Sequence, residues 1–481
     1  MKRIIFCFDG TTNKLDTDTP TNVLLTASCI TPETATGIKQ IIHYAKGVGT
    51  SKGEKVRGAL FGYGLYKNIQ RAYEFLIFNY EPGDEVYVVG FSRGAFTARS
   101  FVGFVKHVGI LERHHVRKIK EAIKLYKRRL KKLNQHMNKF RAENSAHICI
   151  SIDEDVWRCE NVPNYHAGAA EQFQFKYVGI WDTVGSLGFW NVARTFIPKL
   201  RDTRFKNKHY AFHDIGLSKI VANARHAIAL DERRRGFDVT PWDNLDALNK
   251  KVGFEPTNEN APYQQKFFPG THGSIGGGGY IRGLSDASLS WVWDGANNAG
   301  LQFDVSPTSQ IYESKPDYRV ALHNSDPSKD AGLGAKLPKK SRMCKPIHTY
   351  EVHQSAINRW NHPKPNELDG GKYRPDTLLH LSDALQAAAS TVQIDNKTIG
   401  GLVSYTAEKR SMLFHTVVRG DTLSKLAKKY LGNYRRYPEI FELNKGLVND
   451  PDKIYVGQIL KIPQDEDSAV TQTNLDRDAA E

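Results

Sequence analysis

The residues whose spacing best suits chemistry form a G-x-S-x-G pattern in the stretch YVVGFSRGAFTAR, residues 87–99. In serine hydrolases this pattern lifts a serine hydroxyl above a sheet edge on a sharp turn between a strand and a helix, and the glycines give the turn room. A mostly β-branched run, residues 86–89, precedes Ser92, and apolar residues at helical spacing, 95–105, follow it. We therefore predict that Ser92 is a nucleophile.

A second match to the pattern, GTSKG at residues 49–53, lacks this context. It follows a turn that contains lysine and glycine, and charged residues come after it instead of an apolar helix. Because so short a pattern also arises by chance, its surroundings have to decide. We predict that Ser51 is a loop residue.

A serine nucleophile needs a histidine base, and the histidine needs an acidic partner that fixes its tautomer. In α/β-hydrolases the chain order is Ser, acid, His. Asp182 ends the predicted strand FQFKYVGIWD, and His272 follows the predicted strand in QQKFFPGTHGSIGGGG. Both residues are predicted to complete a triad with Ser92. Three residues are alternatives for these roles: Asp231 and Asp286 for the acid, and His226 for the base.

Acyl transfer also requires backbone N–H groups that stabilise an oxyanion. We expect one donor at Arg93, directly after the nucleophile, and another at Gly10 or Thr11 in the loop FDGTTN after the first strand. Asp9 could instead order that loop by binding its backbone. The glycine run at residues 276–279 lacks the lysine of a phosphate-binding loop, so no nucleotide site is predicted there.

The elements that must position these residues alternate along the chain. Short apolar runs (KRIIFCFDG, QIIHYAKG, DEVYVVG) alternate with stretches of helical period (TNVLLTASCI, LYKNIQRAYEFLIFNY, GAFTARSFVGFVKHV). This alternation predicts an α/β fold of the α/β-hydrolase type, a mostly parallel sheet with helices on both faces. In that pattern GLSKIVANARHAIALDERRR, residues 216–235, is predicted as a further helix.

An insertion at about residues 110–170 contains a strongly basic stretch, 113–141, which is predicted as one helix. That helix would face either anionic lipid or water. The whole chain has 481 residues and a net charge of +15, which favours acidic partners. We expect a phospholipid surface, contacted peripherally because no apolar run approaches about 20 residues, and no nucleic acid.

The five cysteines are scattered without C-x-x-C spacing, so neither a metal site nor a disulfide framework is predicted. No cofactor is expected. The short apolar run at the N-terminus leads us to expect synthesis in the cytoplasm without a signal peptide.

Several blocks in one order resemble an uncharacterised α/β-hydrolase family that includes the first group of type VI secretion lipase effectors. They are FDGTTN, YAKGVGT, GFSRGAFTAR, GIWDTVGSLG, HAIALDERRRGF, FFPGTHGSIGGG, LSDASLSWV, VHQSAINRW and KYRP. The resemblance covers about the first 380 residues. It implies a phospholipase delivered into a rival's periplasm, a secretion-apparatus partner and an immunity protein. Ser274 and an extra Gly279 depart from the family's pattern and are expected to re-aim the histidine loop.

The stretch HTVVRGDTLSKLAKKY…FELN…DPDKIYVGQILKIP resembles a LysM domain, a βααβ module. LysM domains bind peptidoglycan and other N-acetylglucosamine polymers, so the resemblance implies a glycan groove. Its predicted residues are Gly420, Asp421, Thr422, Asp450, Pro451 and Ile454. Helix capping and core packing are the competing interpretation of these positions, and core packing is favoured for Leu423.

The predicted division of the chain is a hydrolase domain at residues 1–381, a linker at 382–412, LysM at 413–463 and a disordered acidic tail at 464–481. The function predicted is a serine hydrolase that cleaves acyl esters of membrane phospholipids and is anchored to peptidoglycan. Two alternatives are an esterase for soluble or glycan-linked acyl groups, and a peptidoglycan-binding protein whose hydrolase fold is inactive.

Overall fold

The computed structural model describes residues 1–10, 17–47, 60–127, 134–185, 216–234, 237–304, 314–324, 342–391, 412–417, 420–444, 448, 450–454 and 459–463. The chain divides into two compact units, Met1–Gly401 and Leu402–Glu481. Ser51, Thr11 and the predicted tail lie outside the described residues.

A six-stranded parallel sheet forms the centre of the first unit, with strand order β2-β1-β3-β6-β7-β8. The strands are β1 Arg3–Phe8, β2 Gln40–Ala45, β3 Glu85–Phe91, β6 Phe175–Trp181, β7 Ala224–Ala229 and β8 Tyr263–Phe268. The inner strands are almost entirely buried, as expected for apolar runs covered on both faces. The predicted α/β fold is confirmed.

Helices cover both faces of this sheet. On one face, α2 (Leu60–Asn79) and α3 (Arg93–Val108) share a core with β1 and β3, in which the ring of Phe101 lies 4.8 Å from that of Phe6. On the other face lie α1 (Asn22–Cys29) and α9 (Gly283–Asn298). The indole of Trp181 in β6 donates to the carbonyl of Ser288 in α9.

The helix predicted at residues 216–235 is wrong, because this segment contains strand β7. The run HAIA has only apolar residues around a buried histidine, so neither a period of two nor one of 3.6 stands out. Neighbouring strands β6 and β8 pair with it on both sides, which satisfies its backbone as a strand. Tertiary pairing therefore decided the structure of this segment.

The single basic helix predicted at residues 113–141 is also wrong at its start. Arg113–Lys118 forms a 3-10 helix, and α4 (Ile119–Lys127) and α5 (Asn134–Asn144) follow. Ile119 and Tyr126 pack into the core of the unit, Val116 of the 3-10 helix packs against it, and the α-helical part begins at Ile119. The insertion continues with α6 (Ile152–Asn161) and with two-residue strands β4 (Ile148–Cys149) and β5 (Glu171–Gln172), which pair with each other.

Four further α-helices belong to the described part of the first unit. They are α7 (Leu245–Lys251), α8 (His272–Gly276), α10 (Gln354–Trp360) and α11 (Ser382–Thr391). α7 and α10 contact the edge strand β8, α8 contacts β7 and α9, and α11 packs on α10. Leu385 of α11 is fully buried in one cluster with Phe267 and Trp360. The first ten residues of the predicted linker therefore pack with the first unit.

The second unit has the predicted βααβ order. It consists of β9 (Met412–Thr416), α12 (Leu423–Leu431), α13 (Tyr437–Leu443) and β10 (Ile459–Pro463), and the two strands pair antiparallel. Its core includes Leu423, Leu426 and Ile440. In neither unit does the described part of the chain contain a helix that is both long and apolar enough to cross a bilayer.

Candidate active site

Ser92 lies in the turn between β3 and α3, where the backbone bends sharply. Its φ of 59° and ψ of −120° are unusual for a residue with a side chain. The N–H of Ser92 donates to the carbonyl of Trp181, and its own carbonyl accepts from the N–H of Phe96 in α3. These bonds hold the strained turn and fix the hydroxyl at the carboxyl edge of the sheet.

The two glycines of the motif are required by close contacts. A Cβ on Gly94 would lie 2.0 Å from the carbonyl oxygen of Phe8, at the end of β1. A Cβ on Gly90 would lie 2.8 Å from the carbonyl oxygen of Gly94. No side chain fits at either position, so the G-x-S-x-G spacing follows from how closely α3 crosses the sheet end.

His272 joins Ser92 to Asp182 by two short hydrogen bonds. The ring nitrogens lie 2.7 Å (Nε2) from the Oγ of Ser92 and 2.6 Å (Nδ1) from an Oδ2 of Asp182. An ionised Asp182 accepts from Nδ1–H, which leaves Nε2 as the acceptor of the serine hydroxyl proton. The rings of Phe91 and Phe237 lie 4.7 and 5.0 Å from the imidazole and restrict its orientation.

Strand topology explains why residues 180 positions apart meet. Ser92, Asp182 and His272 follow β3, β6 and β8, and parallel strands end at the same edge of a sheet. His272 begins the short helix α8, after a turn in which Gly270 has a φ of 117°. Despite the departures at Ser274 and Gly279, the histidine loop directs His272 at Ser92.

Asp182 is completely buried, and three donors surround its carboxylate. Its Oδ1 accepts from the N–H of Ala229, and its Oδ2 accepts from His272 and, at 3.0 Å, from the guanidinium of Arg342. Burial alone would raise the pKa of Asp182, but the charge of Arg342 and the hydrogen bonds from both partners outweigh it. The pKa of Asp182 is therefore held well below its usual value.

Arg342 and Glu232 support the site, and sequence reasoning missed both. The guanidinium of Arg342 is buried and also donates to the carbonyls of Ala229 and Phe237. The carboxylate of Glu232 accepts from the backbone N–H of His272 at 3.2 Å and pairs with Arg234. Neither residue stands in a pattern that signals a role, and Arg342 lies 160 residues from Asp182 in sequence.

The alternative acids and base lie elsewhere. Asp231 accepts from the N–H of Gly270 and from the hydroxyl of Tyr373, and burial raises its pKa to about 6. Asp286, in the first turn of α9, pairs with Arg282, the residue before this helix.

His226 is buried in β7, where its nitrogens contact Thr183 and Gln265, and burial lowers its pKa to about 3. These contacts give His226 a packing role beside the acid. The structure thus pairs His272 with Asp182. Asp231 and Asp286, the alternative acids, and His226, the alternative base, bind other residues.

The predicted oxyanion donors Arg93 and Gly10 differ in their surroundings. Arg93 directly follows Ser92 and is the first residue of α3. The N–H of Gly10 donates to the Oδ1 of Asp9 at 2.6 Å, which is the loop-ordering role considered for Asp9. Asp9 is itself fixed by the hydroxyls of Thr21 and Tyr44. Gly10 would have to leave this bond in order to serve an oxyanion.

The predicted glycan residues of the second unit fall into two groups. In the first, Gly420 has a φ of 97°, Asp421 accepts from His415 at 2.7 Å, and Thr422 caps α12. In the second, Asp450 pairs with Lys453, Pro451 follows it in the turn, and Ile454 packs against the core. Leu423 is a core residue, as favoured from the sequence.

Comparison with known families gives two matches. A model described as "T6SS, Phospholipase effector Tle1-like, catalytic domain" matches residues 2–295, and a LysM domain model matches residues 415–463. The first match spans more than half of the chain and includes all of Ser92, Asp182 and His272.

Individual relatives cover less. A Saccharomyces cerevisiae protein, Uncharacterized protein YEL023C, is 28% identical over 264 residues, which are 49% of this chain and 32% of that protein. Potassium binding protein Kbp of Escherichia coli is 52% identical over 52 residues, which are 11% of this chain and 35% of that protein. The chain thus spans about a third of the length of these curated relatives.

Two solved structures show weak overall similarity. One is a crystal structure of an uncharacterized protein from Pseudomonas aeruginosa, with 15% identity, coverage of 66% of this chain and 49% of that chain, and a TM-score of 0.33. The other is the structure of the Tle1 effector bound to the VgrG spike from the type 6 secretion system, with 16% identity, coverage of 57% and 50%, and a TM-score of 0.28.

Proposed function

Because the chain belongs to the family of type VI secretion phospholipase effectors with a Tle1-like catalytic domain and also carries a LysM domain, we propose that it hydrolyses acyl esters of membrane phospholipids through Ser92. One observation carries the proposal: the unbroken hydrogen-bonded chain from Ser92 through His272 to Asp182, at the carboxyl edge of the sheet. The roles of these three residues rest on that geometry and on the chemistry of acyl transfer.

In the first half of the reaction, the Oγ of Ser92 attacks the ester carbonyl carbon while Nε2 of His272 takes the hydroxyl proton. The tetrahedral intermediate carries an oxyanion, for which the N–H of Arg93, directly after the nucleophile, is a predicted donor. Collapse breaks the ester bond. The lysophospholipid alcohol leaves with the proton from His272, and the acyl group stays on Ser92.

In the second half, water attacks the acyl-enzyme and gives its proton to His272, and the fatty acid leaves as Ser92 regains its proton. Asp182 serves both halves, since its carboxylate keeps the proton on Nδ1 and stabilises the imidazolium that forms each time. The buried charge of Arg342 keeps Asp182 ionised, so the acid acts without being protonated itself.

The LysM domain supports a second part of the proposal, binding to peptidoglycan through Gly420, Asp421, Thr422, Asp450, Pro451 and Ile454. A module that holds the enzyme at the cell wall raises its effective concentration near the membrane. The exposed lysines 118, 120 and 124 of the insertion suit contact with anionic lipid headgroups. Membership in an effector family further supports export through a type VI route, a spike component as a partner, and an immunity protein in the producing cell.

Ester hydrolysis tests the catalytic part. The wild type, Ser92→Ala and Ser51→Ala are compared on a short-chain chromogenic ester and on phosphatidylethanolamine/phosphatidylglycerol vesicles. Ser51 is the matched control because it stands in the other G-x-S-x-G pattern. We expect Ser92→Ala to lose activity by about 10⁴-fold or more on both substrates, and Ser51→Ala to retain it.

Each other outcome favours a different function. Hydrolysis of the soluble ester without lipid consumption would replace the phospholipase by an esterase for soluble or glycan-linked acyl groups. Full activity in Ser92→Ala would refute the triad. An inactive wild type that binds peptidoglycan would make the chain a binding protein with an inactive hydrolase fold.

A further inference from the structure

A cluster of metal-ligating side chains lies at the base of the insertion, on elements that carry none of the triad. Glu112, His114 and His115 each place a ligand atom within 4.8 Å of the others. His147, on the returning segment of the insertion, adds a fourth: its Nδ1 lies 3.7 Å from the Oε1 of Glu112. Imidazole nitrogens with a single carboxylate are the ligand set of zinc and its neighbours in the periodic table, and not of Mg²⁺ or Ca²⁺.

The spacing of these atoms suits tetrahedral zinc. Ligands bound at about 2.0–2.2 Å in tetrahedral geometry lie about 3.4 Å apart. The Nε2 of His114 lies 3.4 Å from the Oε2 of Glu112. This separation equals that of two ligands on one tetrahedral zinc ion, and rotation of the two remaining histidines would complete the site.

Both remaining histidines have a nitrogen in need of a partner. The Nδ1 atoms of His115 and His147 are buried, and neither has a hydrogen-bond partner among the described residues. Buried polar atoms in proteins are nearly always paired. A metal ion would satisfy either nitrogen.

The backbone on both sides of the cluster is already held in place. The N–H of Glu112 donates to the carbonyl of Asn144. The turn before and after His147 is fixed by the buried guanidinium of Arg158, which donates to three carbonyls, those of Ser145, Ala146 and Ile148. Binding would therefore require side-chain rotation and little backbone ordering, which favours affinity.

Two of the neighbouring cations are engaged elsewhere. Arg113 pairs with Glu81 at 3.1 Å, and Lys118 pairs with Glu121 at 3.0 Å. Their charges are directed to these partners and away from Glu112. The carboxylate of Glu112 then compensates part of the charge of a divalent ion.

We propose that Glu112, His114, His115 and His147 bind one zinc ion, which ties the start of the insertion to its return. The ion would close residues 116–146 into a loop and so stabilise the basic helices α4 and α5 against the sheet domain. The site is structural, and the proposal is independent of the proposed ester hydrolysis.

The test measures binding of ZnCl₂ to the metal-stripped full chain by calorimetry, and binding of Co²⁺ by its visible absorption. We expect one site whose zinc affinity falls by about tenfold or more in Glu112→Gln, His114→Ala and His115→Ala. Zinc should raise the melting temperature of the wild type and leave that of these variants unchanged. The matched control is His166→Ala, an exposed histidine of the same insertion, which should bind zinc like the wild type.

Two outcomes would overturn the proposal: no saturable zinc binding by the wild type, or equal binding by all variants. If a variant fails to fold, the visible spectrum of Co²⁺ bound to the wild type tests the site instead. Intense bands of a four-coordinate site would support the cluster, and the weak bands of six-coordinate cobalt would contradict it. Chelation should leave ester hydrolysis at low temperature unchanged, which separates this site from the triad.

Discussion

Replacing Arg342 by glutamine tests whether a buried positive charge sets the pH range in which Asp182, the proposed triad acid, is ionised. Arg342 donates to the same Oδ2 of Asp182 that accepts from His272, and Asp182 is fully buried. Removing one partner of a buried ion pair leaves the other charge uncompensated and costs about 3–5 kcal/mol. We expect the free energy of unfolding of Arg342→Gln to fall by that order at neutral pH.

The pH dependence follows from the sign of the pKa change. In the wild type the folded pKa of Asp182 lies below the unfolded value, so its contribution to stability is present above about pH 4 and is lost only as pH falls further. Without Arg342 the effect of burial dominates and raises the pKa of Asp182. The variant then protonates Asp182 at mildly acidic pH and loses the tautomer that His272 needs.

The assay is kcat/KM for a chromogenic ester between pH 4.5 and 8.5, with unfolding in urea measured alongside. We expect the acidic limb of Arg342→Gln to move to higher pH by about one pH unit or more, and Arg342→Lys to recover part of this shift because it keeps the charge. Arg359→Gln is the matched control, since Arg359 is a buried arginine that binds backbone carbonyls away from the triad. A profile for Arg342→Gln that falls evenly at all pH values, as for Arg359→Gln, would refute the reasoning.

Three further predictions follow from single contacts. Gly94→Ala should lower the free energy of unfolding by about 2–4 kcal/mol and reduce kcat, because its Cβ would lie 2.0 Å from the carbonyl oxygen of Phe8; urea unfolding without loss would contradict the packing argument. Asp231 has a folded pKa raised to about 6 by burial, so its carboxylate destabilises the fold increasingly as pH rises from about 4 to 6. Asp231→Asn should remove this part of the pH dependence in urea unfolding, and an unchanged slope would refute it. Asp450→Ala should weaken pull-down by peptidoglycan without lowering the melting temperature. Lys428→Ala, at an exposed lysine of the same unit, is the control. Equal binding by both variants would show that Asp450 is not part of the glycan groove.

The sharp turn at Ser92 and its surroundings could be predicted because they are local. Strand β3, the turn at Ser92 and helix α3 are contiguous in sequence, and the two glycines reflect contacts that admit no Cβ. The order of Ser92, Asp182 and His272 along parallel strands then placed all three residues at one edge of the sheet. For the same reason the βααβ module was predictable from about 50 residues.

Segments with weak or mixed periodicity were predicted wrongly. β7 was taken for a helix because its apolar run has no clear period, and pairing with strands on both sides decided its structure. In the insertion, positive charge suggested one long helix. The structure instead has a 3-10 helix up to Lys118, and α4 begins at Ile119, which is buried in the core.

By itself the sequence determined the fold class, the serine elbow, the chain order of the candidate triad and the C-terminal module, since each depends on spacing within short segments or on strand direction. Only the tertiary structure decided that Asp182 rather than Asp231 reaches His272, and that Gly10 donates to Asp9. It alone brought Arg342 to Asp182 and His147 to Glu112. Apart from the bond between the neighbours Gly10 and Asp9, these contacts join residues that are distant in sequence. Their formation depends on how the loops beyond the sheet fold back, which no local periodicity encodes.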